Sequence, residues 1–126
     1  MNTILAVGLG GGIGALMRHF LNGAVGNWLG SGFPWGIMVI NILGSLIMGV
    51  LIGFFGLVTE IPQHWKIFLT TGILGGFTTF STFSLDSVML IERGQYVQAV
   101  LYIGGSVIVS LAALALGLWG MRLWPV

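Results

Sequence analysis

The chain has 126 residues, of which 56% are hydrophobic and 6% charged, and its mean hydropathy is +1.06. An ordinary soluble domain carries about 25% charged residues, so the composition excludes a soluble globular protein, and its hydrophobicity excludes a disordered one. The net charge of +1 and the absence of cysteine exclude a nucleic-acid-binding face, disulfides and thiolate metal sites. We therefore expect residues 1–126 to form a single transmembrane domain in a lipid bilayer.

Four apolar segments are long enough to cross a bilayer as helices. A transmembrane helix needs about 20 mostly apolar residues, and the four basic and three acidic residues leave long uncharged stretches between them. Residues 22–34 are rich in glycine and other turn formers, so we expect a connection there. The sequence predicts an all-α membrane protein with helices over residues 3–22, 35–58, 66–92 and 96–122.

The basic residues are divided evenly between the two sides of the predicted membrane. Arg18 and Arg93 lie on one side, and Lys66 and Arg122 lie on the other. Because the bias in Lys and Arg sets the orientation of a membrane protein, an even count predicts insertion in both directions. We therefore expect chains of opposite orientation to pair as an antiparallel homodimer. The alternative is a fixed orientation that another signal sets.

Glycine pairs four residues apart recur in the first three predicted helices. They are Gly8/Gly12, Gly10/Gly14, Gly49/Gly53 and Gly72/Gly76. Small residues at this spacing let helix backbones approach closely in membranes. Residues 10–15 also fit a relaxed dinucleotide-binding pattern, but no strand precedes them and no acidic residue follows at the required distance. We interpret the glycines as helix-packing surfaces and expect no nucleotide ligand.

The most informative segment is residues 70–87, in the third predicted helix. Gly75 and Gly76 lie near the middle of this helix, and each glycine weakens a helix by about 1 kcal/mol relative to alanine. We expect the helix to break there. Unwound backbone at this depth is tolerated only where protein covers it or where it lines a wet cavity, and its carbonyls can hold a cation, as in several transporters.

Phenylalanines and hydroxyl residues follow the two glycines. Phe77, Phe80 and Phe83 are three residues apart, so a continuous helix would place them on one stripe. The hydroxyl residues beside them are Thr78, Thr79, Ser81, Thr82 and Ser84. Hydroxyls can solvate either sign of ion, and the positive edge of a phenyl ring can meet an anion. The alternative is that the hydroxyls bond to their own helix carbonyls while the rings face lipid or pack.

Other polar residues lie within the predicted spans. Asn41, in the middle of the second helix, offers an amide donor to an ion or a hydrogen bond to a neighbouring helix. Ser106 and Ser110, one turn apart on the fourth helix, would extend a polar line that begins at Tyr102 one turn earlier. For each of these residues the alternative is simple packing.

The charged residues separate two further function classes. Arg18 either attracts anions in a vestibule or extends to the membrane interface. Asp86 lies near the far interface, where it would cap the helix, pair with Arg93 or take part in ion handling. A proton-coupled small multidrug exporter needs a membrane-embedded acid, which the first helix lacks. A non-conducting accessory subunit would need the glycine surfaces but not the segment of hydroxyl and phenyl groups.

These residues together resemble the Fluc/CrcB family of small bacterial fluoride channels, over essentially the whole chain. The matching motifs are Gly10-x-x-x-Gly14-Ala15-x-x-Arg18, then Gly36, Asn41-x-x-Gly44 and Gly49, and finally GILGGFTTFSTFS at residues 72–84. The last motif is the most specific. His19 stands where the family often has tyrosine, and Asp86 stands where glutamate is common.

The resemblance implies an antiparallel, dual-topology homodimer of four-helix subunits with two fluoride pores at the subunit interface. It implies that the ring edges of Phe80 and Phe83 coordinate fluoride. The polar pathway that it implies is formed by Asn41, Ser81, Thr82, Ser84 and Ser110. It also implies a structural sodium ion (Na⁺), not transported, held at the dimer centre by the backbone carbonyls of Gly75 and Thr78. The implied function is passive fluoride export across the bacterial inner membrane, and not an enzyme activity.

Overall fold

The computed structural model describes residues 2–124, and all the regular elements within them are helical. The elements are α1 (Thr3–Leu29), α2 (Trp35–Leu57), α3 (Gln63–Ile67), a π-helical segment (Phe68–Leu74), α4 (Gly75–Phe77), α5 (Phe80–Glu92) and α6 (Tyr96–Arg122). The elements from α3 to α5 form one interrupted span, Gln63–Glu92. With α1, α2 and α6 it makes four helical stretches that are long and apolar enough to cross a membrane. The predicted all-α, four-span architecture is confirmed.

The first span is longer than the sequence predicted. The expected end at residue 22 is wrong, because α1 continues through Gly23 and Gly26 and ends at Leu29. A glycine inside a helix costs about 1 kcal/mol, whereas unpaired backbone groups within a membrane cost several, so the helix continues. Gly30 ends it with a φ of 89° and donates its N–H to the Gly26 carbonyl. The connection to α2 is therefore short.

The first span packs closely against the third through glycines on both. Gly10 and Gly14 lie against backbone atoms of the π-helical segment and α4, and Gly76 lies against the backbone of Gly11. A Cβ at Gly10, Gly14 or Gly76 would come within 3.0 Å of a backbone atom. Their small size lets the two helices approach, as the glycine spacing predicted.

The second span packs mainly against the fourth. Gly49 and Gly53 of α2 lie against the backbone and side chains of α6, and Gly117 of α6 lies against the backbone of α2. Gly8 and Gly12 do not pack within the subunit, because a Cβ at either residue would have no atom of the described residues within 4 Å. That pair lies on the open face of α1.

The core is a cluster of buried side chains between the spans. Its largest fully buried members are Ile40 of α2, Leu90 of α5 and Tyr102 of α6. Leu74 and Phe77, just before the interruption of the third span, also belong to it. The core therefore surrounds the broken part of the third span and holds it in place.

The third span is interrupted near its middle, as predicted, but not at the glycines. Gly75 has helical dihedral angles (φ −62°, ψ −39°), and Gly76 lies within α4. The extended residues are Thr78 (φ −83°, ψ 157°) and Thr79 (φ −151°, ψ 124°). The position predicted from glycine's low helix propensity is wrong, because Gly76 packs against the backbone of Gly11 in α1 and a side chain of α2 stabilises the break two residues later.

Candidate functional site

The break is held by the side chain of Asn41 on α2. The Thr79 N–H donates to Asn41 Oδ1 at 2.9 Å, and Asn41 Nδ2 donates to the Thr79 carbonyl at 3.1 Å. One amide thus satisfies both backbone polar groups of an unwound residue, which hydrocarbon could not do. A primary amide has two N–H donors, so one remains for another acceptor.

The side chain of Thr79 begins the helix that follows the break. Its Oγ1 accepts from the Thr82 N–H at 3.3 Å, which is the bond that an N-cap residue makes. Ser81 Oγ and Thr82 Oγ1 lie 3.3 and 3.4 Å from the same oxygen. The residues Thr79, Ser81 and Thr82 therefore form a small hydroxyl cluster at the start of α5. These hydroxyls were predicted from the sequence, but the capping role of Thr79 was not.

Two other hydroxyls bond to their own helix. Thr78 Oγ1 donates to the Leu74 carbonyl at 2.9 Å, and Ser84 Oγ donates to the Phe80 carbonyl at 2.9 Å. For these residues the structure adopts the alternative described above, local bonding to the backbone. Because a hydroxyl has one proton, Ser84 must rotate before it can donate to an ion.

Two serines on α6 have hydroxyls without a partner. The Oγ atoms of Ser106 and Ser110 are buried, and neither makes a hydrogen bond within residues 2–124. Both serines line a cavity of about 420 Å³ between α2, the break and α6. A buried unsatisfied polar group costs about 1–3 kcal/mol, so a fold that retains two of them at one cavity wall points to a polar ligand or water there.

The rings of Phe80 and Phe83 meet at the same cavity. Their centroids lie 5.7 Å apart with an interplanar angle of 48°, and both residues line the cavity. Phe83 is 9% exposed and packs at 5.2 Å from the Tyr102 ring, whereas Phe80 is 77% exposed. Phe83 is therefore part of the core, and Phe80 lies at the open side of the cavity.

The predicted stripe of three phenylalanines is wrong. Phe77 is 3% exposed and packs near Gly14 of α1 and Gly44 of α2. Thr78 and Thr79, which lie between Phe77 and Phe80, are extended. The helical periodicity that would align the two rings therefore does not hold across them. Only two of the three phenyl rings are therefore available to the cavity.

Asp86 contacts α6 instead of the nearby arginine. The Tyr102 hydroxyl lies 3.3 Å from Asp86 Oδ2 and donates to it. No ion pair joins Asp86 to Arg93, both of which the structure describes. The expected pairing with Arg93 is wrong. The polar line that begins at Tyr102 instead reaches a carboxylate.

Carbonyls near the break, those of Gly75 and Thr78 among them, have lost their usual helical donors. In a continuous helix the Thr79 N–H would bond to the carbonyl of Gly75, and the Thr82 N–H would bond to that of Thr78. These N–H groups donate to Asn41 Oδ1 and Thr79 Oγ1 instead. Within residues 2–124 no group of three or more His, Cys, Asp or Glu residues could hold a metal.

The structure brings together some of the predicted site residues and not others. Those that line the cavity are Asn41, Thr78, Phe80, Phe83, Ser106 and Ser110. Those that do not line it are Ser81, Thr82, Ser84 and Arg18. Arg18 is partly buried on α1, one turn beyond Gly14. Its vestibule role and the pathway roles of the other three stay predictions.

These features define a small multi-pass membrane protein whose third span breaks beside a cavity with amide, hydroxyl and phenyl walls. The chain belongs to the CrcB family, because the family model described as CrcB-like protein, Camphor Resistance (CrcB), matches residues 5–118. This confirms the resemblance noted in the sequence.

Similar proteins from several bacteria share the whole length of the chain. Proteins named fluoride-specific ion channel FluC are 48% identical over 119 residues in Nitrobacter winogradskyi (94% of each chain) and 52% identical over 122 residues in Methylobacterium nodulans (97% of each chain). A third, in Rhodopseudomonas palustris, is 51% identical over 116 residues, or 92% of this chain and 94% of the relative. The relatives' names describe ion channels and not enzymes.

Proposed function

We propose that this chain is a fluoride-specific channel through which cytoplasmic fluoride leaves passively across the bacterial inner membrane. The observation that carries the proposal is the cavity at which the amide of Asn41, the unpartnered hydroxyls of Ser106 and Ser110 and the ring of Phe80 converge. The names of the relatives support the identity of the ion.

The chemistry of this cavity suits a small, strongly hydrated anion. Fluoride must exchange its water for other donors, which hydroxyls, an amide N–H and positive ring edges supply. None of the residues that line the cavity is charged. Conduction requires binding that is weak and distributed over several sites, and a fixed ammonium or guanidinium group would hold fluoride too tightly.

The pathway is completed in this proposal by a second, antiparallel copy of the chain. Phe80 is 77% exposed, and Gly75 beside the break is exposed too. An anion at Phe80 would have protein on one side only in a single chain. The even division of basic residues, Arg18 and Arg93 against Lys66 and Arg122, favours insertion in both directions. A homodimer of this kind has two equivalent pores at its interface.

A structural sodium ion fits the carbonyls at the break. The carbonyl oxygens of Gly75 and Thr78 have lost their helical donors, and unwound carbonyls of this kind coordinate sodium in membrane proteins. When bound, the ion supplies a fixed positive charge that ties the breaks of two subunits together. We propose that it is not transported and that both subunits contribute these carbonyls.

Passive export is sufficient for fluoride resistance. The weak acid HF crosses membranes unaided and dissociates in a less acidic cytoplasm, which leaves fluoride inside. An interior-negative potential then drives the anion out with about 2.3 kcal/mol per 100 mV for each charge. No nucleotide or coupled proton is needed for this transport.

The test is fluoride efflux from liposomes that contain only the purified chain. The liposomes are loaded with fluoride, a potassium ionophore removes the membrane potential, and an electrode follows external fluoride. We expect rapid efflux that protein-free liposomes lack, and no comparable flux from chloride-loaded liposomes. Folded, reconstituted protein without fluoride efflux would overturn the proposal and favour a non-conducting accessory subunit.

A further inference from the structure

A second cavity, of about 680 Å³, lies between α1, α2 and the third span. Every residue that lines it is apolar. Leu43, Ile47 and Leu51 form one wall at successive turns of α2, Leu69 and Ile73 of the π-helical segment form another, and residues of α1 form the third. The volume is within the range of about 300–1,000 Å³ that is typical of ligand pockets.

A positive charge lies at one end of this groove. Phe55 follows Leu51 by one turn of α2, and Lys66 precedes Leu69 by about one turn of the third span. Lys66 Nζ lies 5.6 Å from the centroid of the Phe55 ring, which is within cation–π distance. Within the described residues, Lys66 makes no ion pair with a carboxylate.

We propose that the groove binds an acyl chain of an anionic phospholipid whose phosphate contacts Lys66. Charge complementarity selects this occupant, since a phosphate on an acyl chain matches an ammonium group at the end of an apolar groove. The length agrees, because positions 43 to 55 of α2 rise by about 18 Å at about 1.5 Å per residue, and one leaflet of a hydrocarbon core of about 30 Å is about 15 Å deep.

A lipid in this groove would contact the rear of the broken segment. Leu74 lines both this groove and the smaller polar cavity, and Phe77 lines the groove while its ring packs near Gly44. The bound chain would therefore fill space behind α4 and stabilise the conformation of the third span. This inference does not depend on fluoride conduction.

The test is native mass spectrometry of the full chain with matched lipids. The detergent-solubilised protein is titrated with phosphatidylglycerol or phosphatidylcholine of identical acyl chains, and bound lipid is counted for each oligomer. We expect phosphatidylglycerol to bind more tightly by about fivefold, which corresponds to about 1 kcal/mol for one basic residue at an anionic headgroup. Lys66→Gln should abolish this preference, and Lys66→Arg should retain it.

A second pair of variants tests the groove itself. Ile47→Trp fills the groove and should reduce the binding of both lipids, whereas Ile52→Trp, at an exposed position of α2 outside the groove, should leave it unchanged. Equal binding of the two lipids to the wild type, or an unchanged preference in Lys66→Gln, would overturn the proposal. An Ile47→Trp protein that no longer dimerises but still binds lipid would also overturn the proposal. That result would mean that a second copy of the chain, and not a lipid, occupies the groove.

Discussion

Asn41 of α2 satisfies both backbone polar groups of Thr79 in the third span, through hydrogen bonds of 2.9 and 3.1 Å. These two bonds replace those that a continuous helix would have supplied. The unwound residue is thus stable at membrane depth because a neighbouring span, and not water, provides its partners. The break and the packing of α2 against the third span depend on each other.

Replacing Asn41 with alanine should destabilise the protein, because it leaves the N–H and the carbonyl of Thr79 unsatisfied. The expected loss is about 1–3 kcal/mol for each group. Asn41→Asp keeps an acceptor for the N–H but, when ionised, places a charge at membrane depth and a second oxygen against the Thr79 carbonyl, so its loss should be at least as large. Thermal unfolding in detergent measures the difference, with Ser45→Ala, one turn along the same helix, as the control. Equal unfolding temperatures for Asn41→Ala and the wild type would show that the break does not need this side chain.

The two phenyl rings of the cavity should separate transport from stability. Phe80→Ile and Phe83→Ile should both reduce fluoride efflux, because isoleucine has no positive ring edge. Phe83→Ile should also lower stability by about 0.5–1.5 kcal/mol through loss of its aromatic contact with Tyr102. Phe80 is 77% exposed in the single chain, so Phe80→Ile should lower stability less than Phe83→Ile. Normal efflux in both variants would disprove the role of the ring edges.

The sequence predicted the four spans well, because length and hydropathy alone decide whether a helix crosses a membrane. It also named Asn41, Phe80 and Phe83, which line one cavity in the structure, and their role in transport stays a prediction. It misplaced the break, because glycine's helix propensity is a local signal, whereas the break at Thr78 and Thr79 depends on a side chain 38 positions away in the sequence.

The same distinction explains the other errors. Phe77 was placed with the other rings by a periodicity that holds only in a continuous helix. Tyr102 and Asp86 belong to different spans, so their hydrogen bond could not be predicted from the spacing of charged residues along one helix. That spacing suggested Arg93 as the partner of Asp86 instead. The extension of α1 to Leu29 follows from the cost of unpaired backbone in a membrane, which outweighs the turn preferences of individual residues.

The serines of α6 should show opposite effects on stability and transport. Within residues 2–124 the buried Oγ atoms of Ser106 and Ser110 make no hydrogen bond, so removing either hydroxyl breaks none in the chain and relieves up to about 1–3 kcal/mol when no ligand or water is bound. Ser106→Ala and Ser110→Ala should therefore be as stable as the wild type or more stable, while fluoride efflux falls. The matched control is Ser87→Ala, whose hydroxyl donates to the Phe83 carbonyl at 2.7 Å and whose loss should lower stability. Alanine variants of Ser106 and Ser110 with full efflux would remove these hydroxyls from the pathway.

Two glycines of α1 should respond differently to the same substitution. Gly14→Ala would place a Cβ against the carbonyl of Ile73 and within 3.0 Å of the Phe77 nitrogen, and neither backbone atom can move freely. We expect it to separate α1 from the third span and to lower the yield of folded protein. Gly12→Ala meets no atom within 4 Å and should stabilise the helix by about 1 kcal/mol. Size-exclusion chromatography and thermal unfolding distinguish the two, and equal behaviour would show that α1 does not pack here.

Removing sodium should abolish transport if a structural ion occupies the carbonyls at the break. The oxygens of Gly75 and Thr78 lack their helical donors, so in the proposed dimer they would repel each other without a cation. Replacing sodium on both sides of the liposome membrane with N-methylglucamine at equal ionic strength should reduce fluoride efflux to the leakage of protein-free liposomes, because that cation is too large to be coordinated. Returning sodium should restore efflux. Unchanged efflux in the organic cation would mean that these carbonyls have other partners and that the dimer does not need the ion.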